Sequence, residues 1–185
     1  EEGGEVTVYT DGSCHDNGST TAKCGGGLWY RVDDQRNMAI RVGPPIPQSN
    51  NTGEVVAVMK AIQLHRDTRT IEIVSDSQYT IDIITKHAKR WLDVGLAGVK
   101  NKQLIRALIG ELAMSENKVE IAMRKVKGHS GDAGNDRADA MANEGARKPN
   151  ADEIDLSTGE AVKAIGAKVA EISQAMAYTL IKERK

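Results

Sequence analysis

Of the 26 acidic residues in this chain, Asp11, Glu54, Asp76 and Asp139 stand where an α/β protein could gather them. Asp11 and Asp76 each follow a short β-branched run, VTVYT and TIEIVS, at the carboxyl end of an expected strand. Glu54 falls in the first turn of an expected helix, and Asp139 lies early in a later one, where Asp136 competes with it on proximity. An open α/β sheet builds its site in the crevice outside the carboxyl ends of its strands. Four carboxylates meeting there would repel one another; two Mg2+ ions about 4 Å apart would cancel that repulsion and create a phosphoryl-transfer centre. Hard oxygen ligands with no Cys or His cluster favour Mg2+, with Mn2+ as a substitute, over Zn2+. Each acid alone has a plainer reading: Asp-Gly commonly makes a turn, and a helix dipole favours a first-turn Glu. The chemical reading rests on their convergence.

The elements that would position these acids follow from periodicity. Residues 5–42 read as a three-stranded antiparallel meander, with the first strand stopped by Asp11-Gly12-Ser13 and a Gly, Ser and Thr-rich loop over 15–26. Gly43-Pro44-Pro45 breaks it, and Val55, Val58, Met59 and Ile62 then form one apolar stripe of a helix over about 51–65. The run 70–75 is a strand, and helical residues start near Gln78. Leu104, Ile105, Leu108, Ile109 and Leu112 mark a further helix. Residues 118–127 alternate as a fifth strand and enter Gly128-His129-Ser130-Gly131. A helix over about 135–145 carries Asp136 and Asp139.

Composition bounds the function classes. A chain of 185 residues with 39% hydrophobic side chains suits one domain with a real core and one appendage. Aromatics make up only 3% and Phe is absent, which argues against base-stacking platforms. No apolar run has the length of a membrane span and no charged-then-apolar leader is present, so the expectation is an intracellular protein, cytoplasmic or nuclear, with no membrane partner. The first residues, Glu-Glu-Gly-Gly, lack a Met and fit a piece of a longer polypeptide. Cys14 and Cys24 match neither a disulfide framework nor a zinc site and are expected as reduced thiols. A formal charge of −1 argues weakly against nucleic acid, but two bound divalent ions would reverse its sign.

Five segments, YTDGSC (9–14), SNNTGE (49–54), SDSQY (75–79), VKGHSG (126–131) and NDRAD (135–139), resemble in order and spacing the type 1 ribonuclease H family. The resemblance covers about residues 5–147. It implies an RNase H-like α/β fold, a five-stranded mixed sheet in the order 3-2-1-4-5 flanked by helices. It also implies endonucleolytic cleavage of the RNA strand of an RNA/DNA hybrid, by two metal ions, leaving 5′-phosphate and 3′-hydroxyl ends. Carried over, the metal-binding carboxylates are Asp11, Glu54, Asp76 and Asp139, the family spacing selecting Asp139 over Asp136. His129 matches the family's mobile histidine, which shuttles a proton or assists product release. Cys14, Asn17, Asn50, Asn51 and Gln78 resemble its readers of the 2′-hydroxyls in the minor groove. Ser49 and Asn101 resemble its pocket for a DNA-strand phosphate. Lys86, Lys89, Arg90, Lys100, Lys102 and Arg106, set against the single acid Asp93, resemble a shortened basic handle around Trp91.

The expected organisation is therefore an RNase H domain over 1–147, a linker over 148–157 and an extension over 158–185. In the extension, Val162, Ile165, Val169, Ile172, Met176 and Leu180 recur as the stripe of a long amphipathic helix, and Ser157 to Glu160 have capping-box spacing. That stripe would pack on the domain, self-associate or take a protein partner. Two origins stay open, a free-standing enzyme and the nuclease domain of a retroelement polyprotein. Two other functions stand beside hybrid cleavage: a hybrid-binding or scaffolding module without turnover, and an integrase-like DNA nuclease of the same superfamily. Retention of all four acids and His129 counts against the first, and the Asn-Asn-x-x-Glu and Asp-Ser-Gln motifs against the second.

Overall fold

The computed structural model describes residues 4–88, 90, 91, 96, 98–160 and 181–184. Its sheet is built from β1 (Glu5–His15), β2 (Lys23–Trp29), β3 (Met38–Val42), β4 (Thr70–Ser75), β5 (Glu120–Lys125) and β6 (Ile181–Arg184). Their order is β3-β2-β1-β4-β5-β6. The first five strands take the expected 3-2-1-4-5 arrangement. The β1–β2 and β2–β3 pairs are antiparallel, and β1–β4, β4–β5 and β5–β6 are parallel. The helices are α1 (Asn50–Leu64), α2 (Gln78–Asp82) continued by a π-helical turn (Ile83–His87), α3 (Lys102–Met114) and α4 (Ala133–Arg147). Among the described residues no helix is long and apolar enough to cross a membrane.

Central strands β1, β4 and β5 bury Val6, Val8, Ile71, Ile73, Ile121 and Met123 against α1 and α3, whose Val55, Met59, Ile62, Leu104, Leu108 and Leu112 complete an aliphatic core. Two strand expectations are corrected. β1 does not stop at Asp11 but runs on to His15, because β2 continues to pair with it as far as Lys23. Its other neighbour gives out earlier: β1 pairs with β4 only from Glu5 to Tyr9. Asp11 thus lies where β1 outruns β4, beside an open lateral edge.

The expected 15–26 loop is cut short for a related reason. Gly25, Gly26 and Gly27 are strand residues because two helices lie almost on the sheet backbone. A Cβ on Gly25 would stand 2.2 Å from the Ala142 carbonyl oxygen, and one on Gly27 2.2 Å from that of Ala138. Both contacts are with α4, so the missing side chains are what let α4 settle against β2 and bring Asp139 towards β1. On the other face, a Cβ on Gly12 would meet the Glu54 amide nitrogen at 2.2 Å, which is how the start of α1 reaches Asp11.

The segment after α4 runs along the domain. Asp152 accepts the Arg41 amide through Oδ2 at 2.7 Å, Ile154 and Leu156 pack on the core, and the Thr158 hydroxyl donates to the Ala107 carbonyl at 2.8 Å. Asp155 caps this turn by accepting from the Ser157 amide at 2.9 Å, in place of the expected Ser157 box. Residues 157–160 are helical, but the stripe from Val162 to Leu180 lies outside the described residues. The helix expected to run to 185 is corrected at its end, where Ile181–Arg184 pair with the outer edge of β5. The apolar repeat had already ended at Leu180, and β5 offers an unpaired row of backbone groups there.

Candidate active site

Asp11 is the sixth residue after Glu5 on β1 and is only 5% exposed. Asp76 follows the last residue of β4, and Glu54 projects from α1. One carboxylate oxygen from each lies within 4.8 Å of the others. The first residue of α1 is Asn50, so Glu54 sits fifth in the helix, and no acid occupies its first turn. This corrects the first-turn expectation and removes the helix dipole as a sufficient account of Glu54.

The electrostatics of the trio are unfavourable. Burial is the main force holding the Asp11 carboxyl up at about 7, with the charges of Asp76 and Asp139 adding to it and a hydrogen bond with Glu54 and one from the Gly12 amide opposing. Burial also drives Glu54 well above the usual carboxylate range, helped by its bond to Asp11 and by the charges of Asp11 and Asp76. Glu54 Oε2 is buried without a hydrogen-bond partner. Hard oxygen donors, mutual repulsion and an orphaned carboxylate oxygen form a donor set that fits a divalent cation.

Asp139 is outside the trio. It lies in the second turn of α4, half-buried, and Asn143 donates to its Oδ2 at 3.4 Å. Its charge reaches Asp11, whereas exposed Asp136 lies in the first turn of α4, where the dipole stabilises it. Asp132 caps that helix, accepting the Asn135 amide at 3.0 Å.

The other expected site residues are distributed around this centre. His129 is exposed, with φ of 56°, in the loop after β5. Its neighbour Gly128 lies against Asp76, where a Cβ would stand 2.7 Å from Oδ2. Ser49 and Asn101 are brought together through Thr52, whose hydroxyl lies 2.9 Å from Ser49 Oγ and accepts from Asn101 Nδ2 at 3.2 Å. Asn50 and Asn51 are exposed at the start of α1, and Asn17 is exposed in the β1–β2 turn. Gln78 is exposed, donating to Asp82 at 2.7 Å and accepting from Lys125. Cys14 is half-buried beside Cys24. Of the basic handle, Lys86 pairs with Asp82 at 3.1 Å, Arg90, Lys100 and Lys102 are exposed, Arg106 is half-buried, and Trp91 stacks on His87 at 5.3 Å. Lys89 and Asp93 lie outside the described residues.

Sequence reasoning missed the amides that hold the acids. Asn135 is buried and donates to Asp76 Oδ2 at 3.4 Å. Asn143 Oδ1 accepts from Ser13 Oγ at 2.6 Å and lies 3.1 Å from His15 Nε2, so one side chain ties the end of β1 to Asp139. The i, i+4 spacing of Asp139 and Asn143 was the available signal.

Comparison with known proteins supplies the family and the fold. Ribonuclease H1 of Mus musculus is 34% identical over 149 residues, which is 79% of this chain and 52% of that protein. The chain thus spans about half the length of the mammalian relatives it matches. Ribonuclease H of Polaromonas naphthalenivorans is 33% identical over 149 residues, covering 77% of this chain and 88% of that protein. The foamy viral protease-reverse transcriptase in complex with an RNA/DNA hybrid shares the fold at a TM-score of 0.61 and 18% identity, over 77% of this chain and 20% of that one. The family model described as RNase H matches residues 3–147, from the first strand to the end of α4, and the chain belongs to the RNase H family.

Proposed function

We propose that the chain hydrolyses the RNA strand of RNA/DNA hybrids endonucleolytically, with Asp11, Glu54, Asp76 and Asp139 holding two Mg2+ ions for which Mn2+ can substitute. The observation that carries this reading is the meeting of Asp11, Glu54 and Asp76 within 4.8 Å, with a buried oxygen left unpartnered. Leaving such a group uncompensated is costly, so a cation from solution is the economical explanation for it. When bound, the ions supply water activation and stabilisation of the leaving 3′ oxygen, giving 5′-phosphate and 3′-hydroxyl products.

The chain's own groups do the rest. Asn143 and Asn135 orient Asp139 and Asp76. His129, exposed on a loop that touches Asp76 through Gly128, moves a proton or helps product leave. Asn17, Asn50, Asn51, Gln78 and Cys14 read the minor groove, where 2′-hydroxyls distinguish RNA from DNA. Ser49 and Asn101, linked through Thr52, take a phosphate of the DNA strand, and the exposed Arg90, Lys100 and Lys102 add non-specific attraction. In this reading residues 1–147 are the catalytic unit, and 158–185 form an extension available to a protein partner or a second copy.

The test is cleavage of a hybrid labelled on each strand in turn. Mg2+-dependent fragments from RNA alone, lost in Asp76→Asn, are expected. Binding without fragments would identify a hybrid-binding module, and cuts in duplex DNA would identify an integrase-like nuclease.

A further inference from the structure

Cys14 and Cys24 are partners across the β1–β2 ladder, and the proposed hydrolysis makes no use of Cys24. The Cys24 amide donates to Gln48 Oε1 at 2.9 Å, on the side of β2 away from β1. The two cysteines are therefore a non-hydrogen-bonded pair of the ladder, the kind whose Cα atoms approach to roughly 4.5 Å. A disulfide spans that separation. Both residues are free thiols, and their sulfurs already lie 2.7 Å apart. They differ in access, since Cys24 is 0% exposed and Cys14 is half-buried. The Cys24 thiol also points at the Ser49 carbonyl oxygen, at 3.2 Å, directly ahead of α1.

We propose that Cys14 and Cys24 form an oxidation site for peroxides, and that its closure to a disulfide weakens hybrid binding. The Cys14 sulfur attacks one peroxide oxygen, an S–O bond forms as the O–O bond breaks, and one water leaves. The Cys24 sulfur then attacks the Cys14 sulfur, an S–S bond replaces the S–O bond, and a second water carries off the remaining proton. Two thiols are oxidised and one peroxide is reduced to two waters, and a dithiol reverses the bond by exchange. Closure removes the Cys14 thiol proton, and it strips the Ser49 carbonyl of its thiol donor at the point where Asn50 and Asn51 emerge. The effect on hybrid binding rests on the proposed function; formation of the bond does not.

The full chain is treated with a small excess of hydrogen peroxide, quenched and measured by intact mass. The expected result is a loss of two hydrogens, protection of both cysteines from iodoacetamide, and a digestion product joining them that dithiothreitol separates. Cys24→Ala should instead gain one oxygen at Cys14, trapped by dimedone. In steady-state cleavage the oxidised chain should show a KM for the hybrid about tenfold higher, the loss of roughly one contact, with kcat little changed. Dithiothreitol should return the oxidised chain to its untreated KM. Oxygen addition to the native chain with Cys24 still alkylated on denaturation would overturn the proposal, as would a disulfide that leaves KM unmoved. A reduced chain that cleaves no hybrid would refute the proposed function, and the mass measurement would still decide the oxidation site.

Discussion

Two buried glutamates receive opposite treatment. Glu111 on α3 is 0% exposed, and Arg66 donates to both of its oxygens, to Oε2 at 3.2 Å, while Gln63 Nε2 adds a third bond at 3.1 Å. Glu54 on α1 faces two further acids and keeps one buried oxygen without a partner. For Glu111 the fold supplies the cation; for Glu54 it supplies repulsion. A carboxylate cluster maintained at that cost is a site whose compensation comes from outside the chain. The first region holds α1, α3 and the 155–158 segment together, and the second carries a repulsion that, in the proposed function, bound cations offset.

The contrast breaks most visibly through Asp11. Asp11→Asn should lower hybrid turnover by roughly a thousandfold or more, because it removes a ligand and a charge from the reacting centre. The same variant should melt higher than the parent in the absence of metal at pH 8, since it relieves repulsion. Single-turnover cleavage and thermal unfolding with EDTA check the two halves. A rate within about tenfold of the parent would remove Asp11 from the catalytic set.

At Glu111 the signs reverse. Arg66→Met leaves a buried carboxylate with Gln63 alone and should destabilise the fold by about 2 kcal/mol, below the usual cost of orphaning a buried charge because Arg66 is partly exposed. Urea unfolding measures the loss, and turnover per folded molecule should be unchanged.

The pH dependence sharpens the same comparison. Asp11 and Glu54 are both raised in the folded state, so the fold binds protons that the unfolded chain releases. Their contribution is fully present below the ordinary carboxylate pKa and is lost as pH rises through about 7, the value held at Asp11. The metal-free chain should therefore melt several degrees lower at pH 8 than at pH 5, roughly 5 °C. Millimolar Mg2+ at pH 8 should close this gap by mass action, and Asp11→Asn should flatten it. A metal-free melting temperature that rises with pH would contradict the unfavourable clustering.

Much of this was legible in the chain. Strand β4 was read from 70 to 75 as it stands, and α1 within one residue, because β-branched runs and a four-residue apolar stripe leave few alternatives. The three meeting acids were legible because strand ends converge in an open sheet. Gly25 and Gly26 of β2 were not: they have loop propensity, and only the approach of α1 and α4, a property of the tertiary fold, makes them strand. Asn135 and Asn143 were missed for the same reason, since a buried amide declares its partner only when distant elements meet. β6 lay beyond the apolar repeat, and its pairing depends on the free edge of β5 rather than on its own four residues.

The smallest effect discriminates most finely between neighbouring acids. Asp136 and Asp139 are three residues apart on α4; proximity left both open, and the spacing of the family the chain resembles selected Asp139. Exposed Asp136 occupies the first turn, where unpaired backbone amides favour a negative charge. Asp136→Asn should therefore cost a few tenths of a kcal/mol in stability, about the value of one exposed dipole interaction, and alter turnover by less than about twofold. Asp139 has no such terminal role: its charge is felt at Asp11, and Asn143 ties its carboxylate to the end of β1. Cleavage rates for Asp136→Asn and Asp139→Asn, measured side by side at saturating Mg2+, separate the two. A loss of turnover in Asp136→Asn as deep as that in Asp139→Asn would mean that α4 presents a different turn to the metal than the one packed against β2.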